Sequence, residues 1–396
     1  MYKVEENVDT VEEVISDYYG LEHEKNDEEE GIRNQILETN PFNPEKIRVD
    51  QQMFSLKYVY ELMDSNNLEI SPSFQRKSVW KENRRKSLLI ESLILRIPIP
   101  AFYFYENEDS VYLVIDGQQR LRTIRDYLEG KFSLSGLEYL DESCGGKKFK
   151  ELDTRYQQRI YRTQLAVNVL DVRSPKKVIY DIFRRVNTGG VPLTPQEIRN
   201  AVSSQAVREF LKEATNSEEF LEATRRRIKD DRMDAQELAL RFFAFYDIYD
   251  YEKKEIILDS YPGILTLLDR KIEHLNEEAK KPGELEKLMY IFKTSMKRCG
   301  ELFGEHAFAK VYEVDEERFE KGRDIINKSL FISFSVILAD PRFANTDMKP
   351  YRNRALSELA DQLLEKEYFD AITVGTGDKR RIYSNFKYSN EVINNV

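Results

Sequence analysis

Short apolar blocks, broken by prolines and glycines, mark the first half of the chain, and each block predicts an element. In "FSLKYVYELMDSNN", Leu56, Val59, Tyr60 and Met63 share one helical face. "LEISPSFQRKSVW", with Pro72, predicts an extended segment. "KENRRKSLLIESLILRIPIP" predicts a helix stopped by Pro98 and Pro100. "AFYFYE" and "VYLVID" predict paired strands across the turn "NEDS". After "DGQQR", Leu121, Ile124 and Leu128 lie on one face of a helix whose C′ position suits Gly130. "LAVNVLDV" predicts another strand, and "KKVIYDIFRRVNTGG" a helix closed by two glycines. "TPQEIRNAV" opens a helix with Thr194 as N-cap, Pro195 at the first position and Glu197 completing a capping box.

From about Ser204 the pattern is mainly helical. "DAQELALRFFAFYDIYDY" suggests a similar cap, Asp234 with Glu237, and its aromatic stripe is expected to be core. "SLFISFSVILAD" fits an apolar helix or a buried strand equally well. The tail "ITVGTGDKRRIYSNF", with Lys379, Arg380 and Arg381, suggests a loop that folds back on a site. No internal repeat is evident. Three regions follow: an arm over residues 1–50, a mixed α/β domain over 51–203 and a mainly helical domain over 204–396. The class is α+β.

Composition narrows the function. A chain of 396 residues, 41% hydrophobic and 12% aromatic, can pack a sizeable core. The longest apolar stretch, "LILRIPIPAFYFY", holds Arg96 and two prolines and is too short and broken to span a bilayer. The N-terminus shows no apolar signal segment, so a cytoplasmic location and no membrane partner are expected. Two cysteines and three scattered histidines argue against a disulfide framework or a zinc site. The net charge of −10 looks hostile to nucleic acid, but residues 1–50 hold fifteen acids against five bases and account for all of it. The arm is therefore expected to be flexible and solvated, and the remaining chain is balanced.

The chemistry centres on Asp116-Gly117-Gln118-Gln119-Arg120, where a strand gives way to a helix. Free N–H groups and the positive end of the helix dipole gather at such a start. Gly117 lets a ligand approach the backbone, Gln118 and Gln119 add amide donors, and Arg120 adds a fork for two phosphate oxygens. Together they suit an anion, foremost a phosphate. Asp116 could hold a magnesium ion or orient a water. An ordinary turn, with Asp116 capping the helix and Arg120 in a surface ion pair, accounts for the same residues. The string is neither a Walker A loop nor a GxGxxG motif. Two further polar clusters lie at the edges of apolar elements: Gln75, Arg76 and Trp80, and then Arg184, Arg185, Asn187, Thr188, Glu197, Arg199 and Asn200.

These strings, "SFQRKSVW", "RIPIPAFYFYE", "YLVIDGQQRLRTIRDYLEG" and "FRRVNTGGVPLTPQEIRNA", in this order over about residues 54–203, resemble the N-terminal domain family of GmrSD restriction endonucleases, within the ParB/sulfiredoxin-like superfamily. The resemblance implies a ParB-like small mixed sheet with surrounding helices that binds a nucleoside triphosphate and, in some members, hydrolyses it. It also implies a role in restriction or anti-phage defence. It carries the family motif onto Asp116, Gly117, Gln118, Gln119 and Arg120, the Q-R pair onto Gln75 and Arg76, and the F-x-R-x-N stretch onto Phe183, Arg185 and Asn187. Arg122 and Thr123 continue the motif beside the phosphates. Two departures stand out: Phe74 replaces the usual tyrosine, and Arg122 replaces a threonine. GmrSD-type enzymes carry a second, HNH-type nuclease domain. After residue 203 only His274 and His306 remain, in no such context, so HNH activity is not expected in this chain.

The leading expectation is a nucleotide-binding phosphohydrolase, with Asp116, Gln118, Gln119 and Arg120 catalytic and magnesium as a candidate cofactor held by Asp116. One alternative is a ParB-like DNA-binding or DNA-cleaving protein using Arg225, Arg226 and Arg227, although "TRRRIKDDR" also suits a solvated helix end with compensating acids. Another is a nucleotide-switched regulatory subunit without turnover. Candidate partners are the nucleotide, DNA, a partner nuclease subunit and a second copy of the chain.

Overall fold

The computed structural model describes residues 15–18, 21–24, 48–70, 82–107, 110–171, 173–174, 182, 194–228, 230, 232–315 and 318–395. The chain divides into two compact units, one over Asn40–Val202, the other comprising Ser203–Val396 with the N-terminal stretch. Part of the arm expected to be flexible is extended: β1 (Ile15–Tyr18) pairs antiparallel with β2 (Leu21–Glu24).

The first unit is built on a five-stranded mixed sheet of order β3-β7-β5-β6-β4. In chain order its elements are β3 (Val49–Ser55), α1 (Leu56–Asp64), β4 (Leu68–Glu69), α2 (Asn83–Leu95), β5 (Phe102–Glu106), β6 (Tyr112–Asp116), α3 (Gln118–Leu128), α4 (Asp141–Cys144), α5 (Thr154–Arg162), β7 (Gln164–Asp171) and α6 (Pro195–Val202). β3 and β6 run antiparallel to their central neighbours β7 and β5. The β5–β7 and β6–β4 pairs are parallel. Alternation sorts the side chains. Phe54, Phe102, Phe104, Val114, Leu165 and Val167 bury one face under α1, α2, α3 and α5. Tyr105, Leu113, Ile115 and Leu170 bury the other with Ile198 of α6.

Local rules set the boundaries. The Ser55 hydroxyl accepts from Tyr58 N (3.2 Å) and starts α1. α2 ends at Arg96, left-handed at φ 63°, two residues before Pro98. The α6 capping box forms in full: Glu197 N donates to Thr194 Oγ1 (3.1 Å), and Thr194 N to Glu197 Oε2 (2.6 Å). Glu91 of α2 is buried and accepts three backbone N–H groups, from Glu138 (3.0 Å), Tyr139 (2.7 Å) and Leu140 (2.8 Å). That carboxylate fixes the loop before α4.

The second unit is helical around one aromatic core. Its main elements are α7 (Gln205–Asn216), α8 (Glu218–Ala223), α9 (Asp234–Tyr246), α10 (Ile264–Glu278), α11 (Glu284–Phe303), α12 (Lys328–Ile337), α13 (Arg352–Gln362), α14 (Lys366–Ala371) and α15 (Lys379–Asn394). Phe242, Phe243 and Phe245 of α9 are fully buried, and Phe242 meets Phe292 edge-on (5.1 Å). "SLFISFSVILAD" is the helix α12, and every residue from Ser329 to Ile337 is buried. A helix covered on all sides has no polar face, which is why periodicity could not identify it. The tail is not a returning loop. Asp378 caps α15 by accepting from Arg380 N (2.8 Å) and Arg381 N (3.3 Å), and Arg381 Nη1 donates to Asp370 O (2.7 Å).

The cap expected at Asp234 is also corrected. Met233, left-handed at φ 64°, holds the N-cap position, and Asp234 is the first helical residue. Asp230 does the capping: its Oδ1 accepts from Ala235 N (2.9 Å) and its Oδ2 from Gln236 Nε2 (3.1 Å). Asp234 Oδ2 is left buried without a hydrogen bond. Burial pushes its pKa up to about 6; Lys328 and Arg232 oppose the rise, and Glu237 and Asp230 add to it.

Two predictions follow from these carboxylates. Glu91→Ala, which strands three amides, lowers the unfolding free energy by about 2–4 kcal/mol in denaturant titration, whereas a loss under about 0.5 kcal/mol would show that the loop holds itself. Asp234 binds its proton more tightly folded than unfolded, so its contribution is greatest below pH ~4 and is lost as pH rises to about 6. Asp234→Asn therefore stabilises the protein at pH 7 by up to about 3 kcal/mol, with the gain vanishing below pH ~4. A gain of equal size at both pH values would contradict this.

Candidate functional site

The site begins at the open end of a strand pair, away from the turn that joins the two strands. β5 and β6 run antiparallel, with Tyr103 opposite Asp116, the last residue of β6. Gly117 follows at φ 99° and is the N-cap of α3. A Cβ on Gly117 would lie 2.2 Å from Cδ1 of Phe102. The Phe102 ring therefore demands glycine here as firmly as the backbone angle does. Gly117 O accepts from Leu121 N (2.9 Å), so the helix begins at once, and Gln118, Gln119 and Arg120 keep N–H groups with no intrahelical acceptor.

Arg120 does not extend its fork into solvent. Its Nη2 donates to Asp116 Oδ2 (2.9 Å) and Ala101 O (3.2 Å), and its Nη1 to Pro100 O. Its guanidinium lies over the Phe102 ring at 4.4 Å. Only 12% of the side chain is exposed, against 32% for Asp116. Burial pulls the Arg120 pKa down, and Asp116 pulls it back by charge and hydrogen bond. The ion pair of the ordinary-turn alternative is thus present, but inside the protein, and Asp116 does not cap the helix.

The neighbouring side chains divide by position. Gln118 Nε2 donates to Val114 O (2.9 Å), which turns it back along β6. Gln119 is half-exposed beside the free amides. Arg122 is half-exposed, with its pKa lowered by burial and by Arg125. Thr123 is buried. Gln75, Arg76, Trp80, Phe183, Arg184, Arg185, Asn187 and Thr188 lie outside the described residues. Glu197 and Arg199 are buried in α6. Among the described residues no group of three or more histidine, cysteine, aspartate or glutamate side chains could hold a metal ion. A magnesium ion would find in Asp116 one oxygen, Oδ1, not engaged by Arg120.

The arginines proposed for DNA take the compensated form. Arg225 donates to Glu305 O and lies 3.5 Å from Asp324, Arg226 pairs with Glu218, and Arg227 pairs with Asp324. Sequence reasoning missed Phe102 and the Pro100 and Ala101 carbonyls. A signal existed: pairing "AFYFYE" with "VYLVID" across a short turn places the start of one strand beside the end of the other, hence Phe102 beside Gly117.

Comparison with known proteins gives one match. Residues 59–203 match the family model described as the GmrSD restriction endonuclease, N-terminal domain. No curated protein and no solved structure matches.

The geometry makes Arg120 a structural keystone. Arg120→Ala leaves two carbonyls and a carboxylate without their donor and lowers the unfolding free energy by about 2–4 kcal/mol. Arg120→Lys, a point charge without a fork, restores less than half of that. Full recovery by lysine would show that charge alone is required.

Proposed function

We propose, from the match of residues 59–203 to the model of the GmrSD restriction endonuclease N-terminal domain, that the chain is a nucleotide-binding component of a restriction or defence system that hydrolyses a nucleoside triphosphate. The observation that carries this reading is the strand–Gly117–helix turn, where Phe102 enforces a bare backbone and the first-turn amides of α3 face no acceptor of their own. Such amides, at the positive end of a helix dipole, suit phosphate oxygens.

Roles follow from position. The first-turn amides of Gln118, Gln119 and Arg120 hold phosphate, with Gly117 as the bare N-cap before them. The half-exposed Gln119 side chain orients the attacking water. Arg120 acts through Asp116, as a positioning residue that fixes the carboxylate at the mouth of the turn. Magnesium, if bound, would neutralise phosphate charge, and Asp116 Oδ1 together with phosphate oxygens suits its habit of taking few protein ligands. Gln75, Arg76, Arg185 and Asn187 supply further contacts by the family motif, and Arg122, where the family usually has threonine, adds charge beside them.

Thermal melting with each of the four ribonucleoside triphosphates, with and without magnesium, tests binding. Nucleotide at about a hundred times its Kd stabilises the fold by about 2.7 kcal/mol. Gln119→Ala keeps that stabilisation and slows phosphate release at least about tenfold. Stabilisation without phosphate release in the wild type would make the site a switch. No shift with any of the four would refute the site.

A further inference from the structure

The excess acid of the chain hides a basic face in the first unit. Between residues 147 and 162 there are six bases and two acids, in a chain of net charge −10. Three of the bases, Arg155, Arg159 and Arg162, belong to α5 at spacings of four and three residues. They fall within about 60° of arc and span about 10 Å along the axis. The adjoining face, with Tyr156 and Ile160, is buried, and all three arginines are exposed.

Their surroundings do little to neutralise them. The Tyr156 ring lies 4.6 Å from the Arg155 guanidinium and 6.0 Å from that of Arg159, so one buried ring carries two cations. Arg155 has a loose acid partner, Asp153 at 3.7 Å. Arg159 and Arg162 have no carboxylate within ion-pair distance among the described residues. A fourth cation joins them. Thr163 Oγ1 reaches Leu93 O (3.4 Å), which sets the end of α5 against the end of α2. Arg96, the exposed left-handed residue that ends α2, lies just beyond Leu93 and likewise lacks an acid partner among the described residues.

We propose that this α5 face, with Arg155, Arg159, Arg162 and Arg96, binds the phosphate backbone of double-stranded DNA. A row of exposed cations on one helix face, most of them without an acid partner among the described residues, suits a regular row of phosphates. Single strands are held by aromatic platforms on which bases stack, and here the one ring in the row is buried beneath its arginines. The contact carries no base-edge reader, so it is independent of sequence. It moves the DNA contact away from Arg225–Arg227, whose charges are already matched, and it does not rest on the nucleotide reading.

The test measures fluorescence anisotropy of a mixed-sequence duplex against the full chain at several salt concentrations. The triple variant Arg155→Gln/Arg159→Gln/Arg162→Gln weakens binding at least about tenfold and lowers the slope of log K on log salt by about 2–3. Arg96→Gln, outside α5, lowers it by about 1. The melting temperature without any ligand stays unchanged in both, which confirms that the variants fold. Absence of duplex binding by the full chain, an unchanged slope in the triple variant, or tighter binding of a single strand of equal length would each overturn the proposal.

Discussion

The ring of Phe102 is the constraint on which the site depends. It occupies the space a side chain would need at residue 117, and it carries the guanidinium of Arg120 on its face. One aromatic residue thus dictates a glycine at the helix start and stacks an arginine one turn later. The prolines complete the arrangement. Pro98 and Pro100 end α2 and deliver an extended stretch whose carbonyls, at Pro100 and Ala101, lie before β5 begins. These carbonyls lie at the partly exposed entry to β5, and Arg120 donates to both. The chain entering the sheet and the helix leaving it are tied at one point.

Much of this could be read from the residues. Alternation gave the β5–β6 pair, three-and-four spacing gave α1 and α3, and Thr194 with Glu197 gave the capping box that forms. These are local rules acting within a few residues. What spacing left open or misassigned has other causes. Asp234 and Glu237 have cap spacing, but Asp230, brought in by the preceding loop, reaches the amide first. Arg227 finds its acid in Asp324, far along the chain. α12 lacks a polar face because its neighbours cover every side. Sequence shows what a residue can do, and non-local packing decides which partner arrives.

Electrostatics follows the same division. The overall charge is dominated by a stretch at one end, so it says little about any particular surface. In the loop after α8, arginines sit among matching acids. On α5 they sit on the outer face of a helix whose inner face is aromatic and aliphatic. Both runs look alike as strings of basic letters. They differ in which acids folding brings near, and an exposed charge without a partner is one the fold itself has not used.

The keystone role of Arg120 changes what a loss of activity there would mean. A guanidinium that bonds two carbonyls and a carboxylate cannot be removed without disturbing the turn that presents the amides. A dead Arg120 variant would therefore be as consistent with a collapsed cradle as with a missing phosphate ligand. Gln119 has no such ambiguity, since it is half-exposed and lies outside the hydrogen bonds that hold the turn. Binding by backbone amides and orientation by a surface side chain can then be separated. The first depends on Gly117 and the ring behind it, and the second on a residue that the fold does not need.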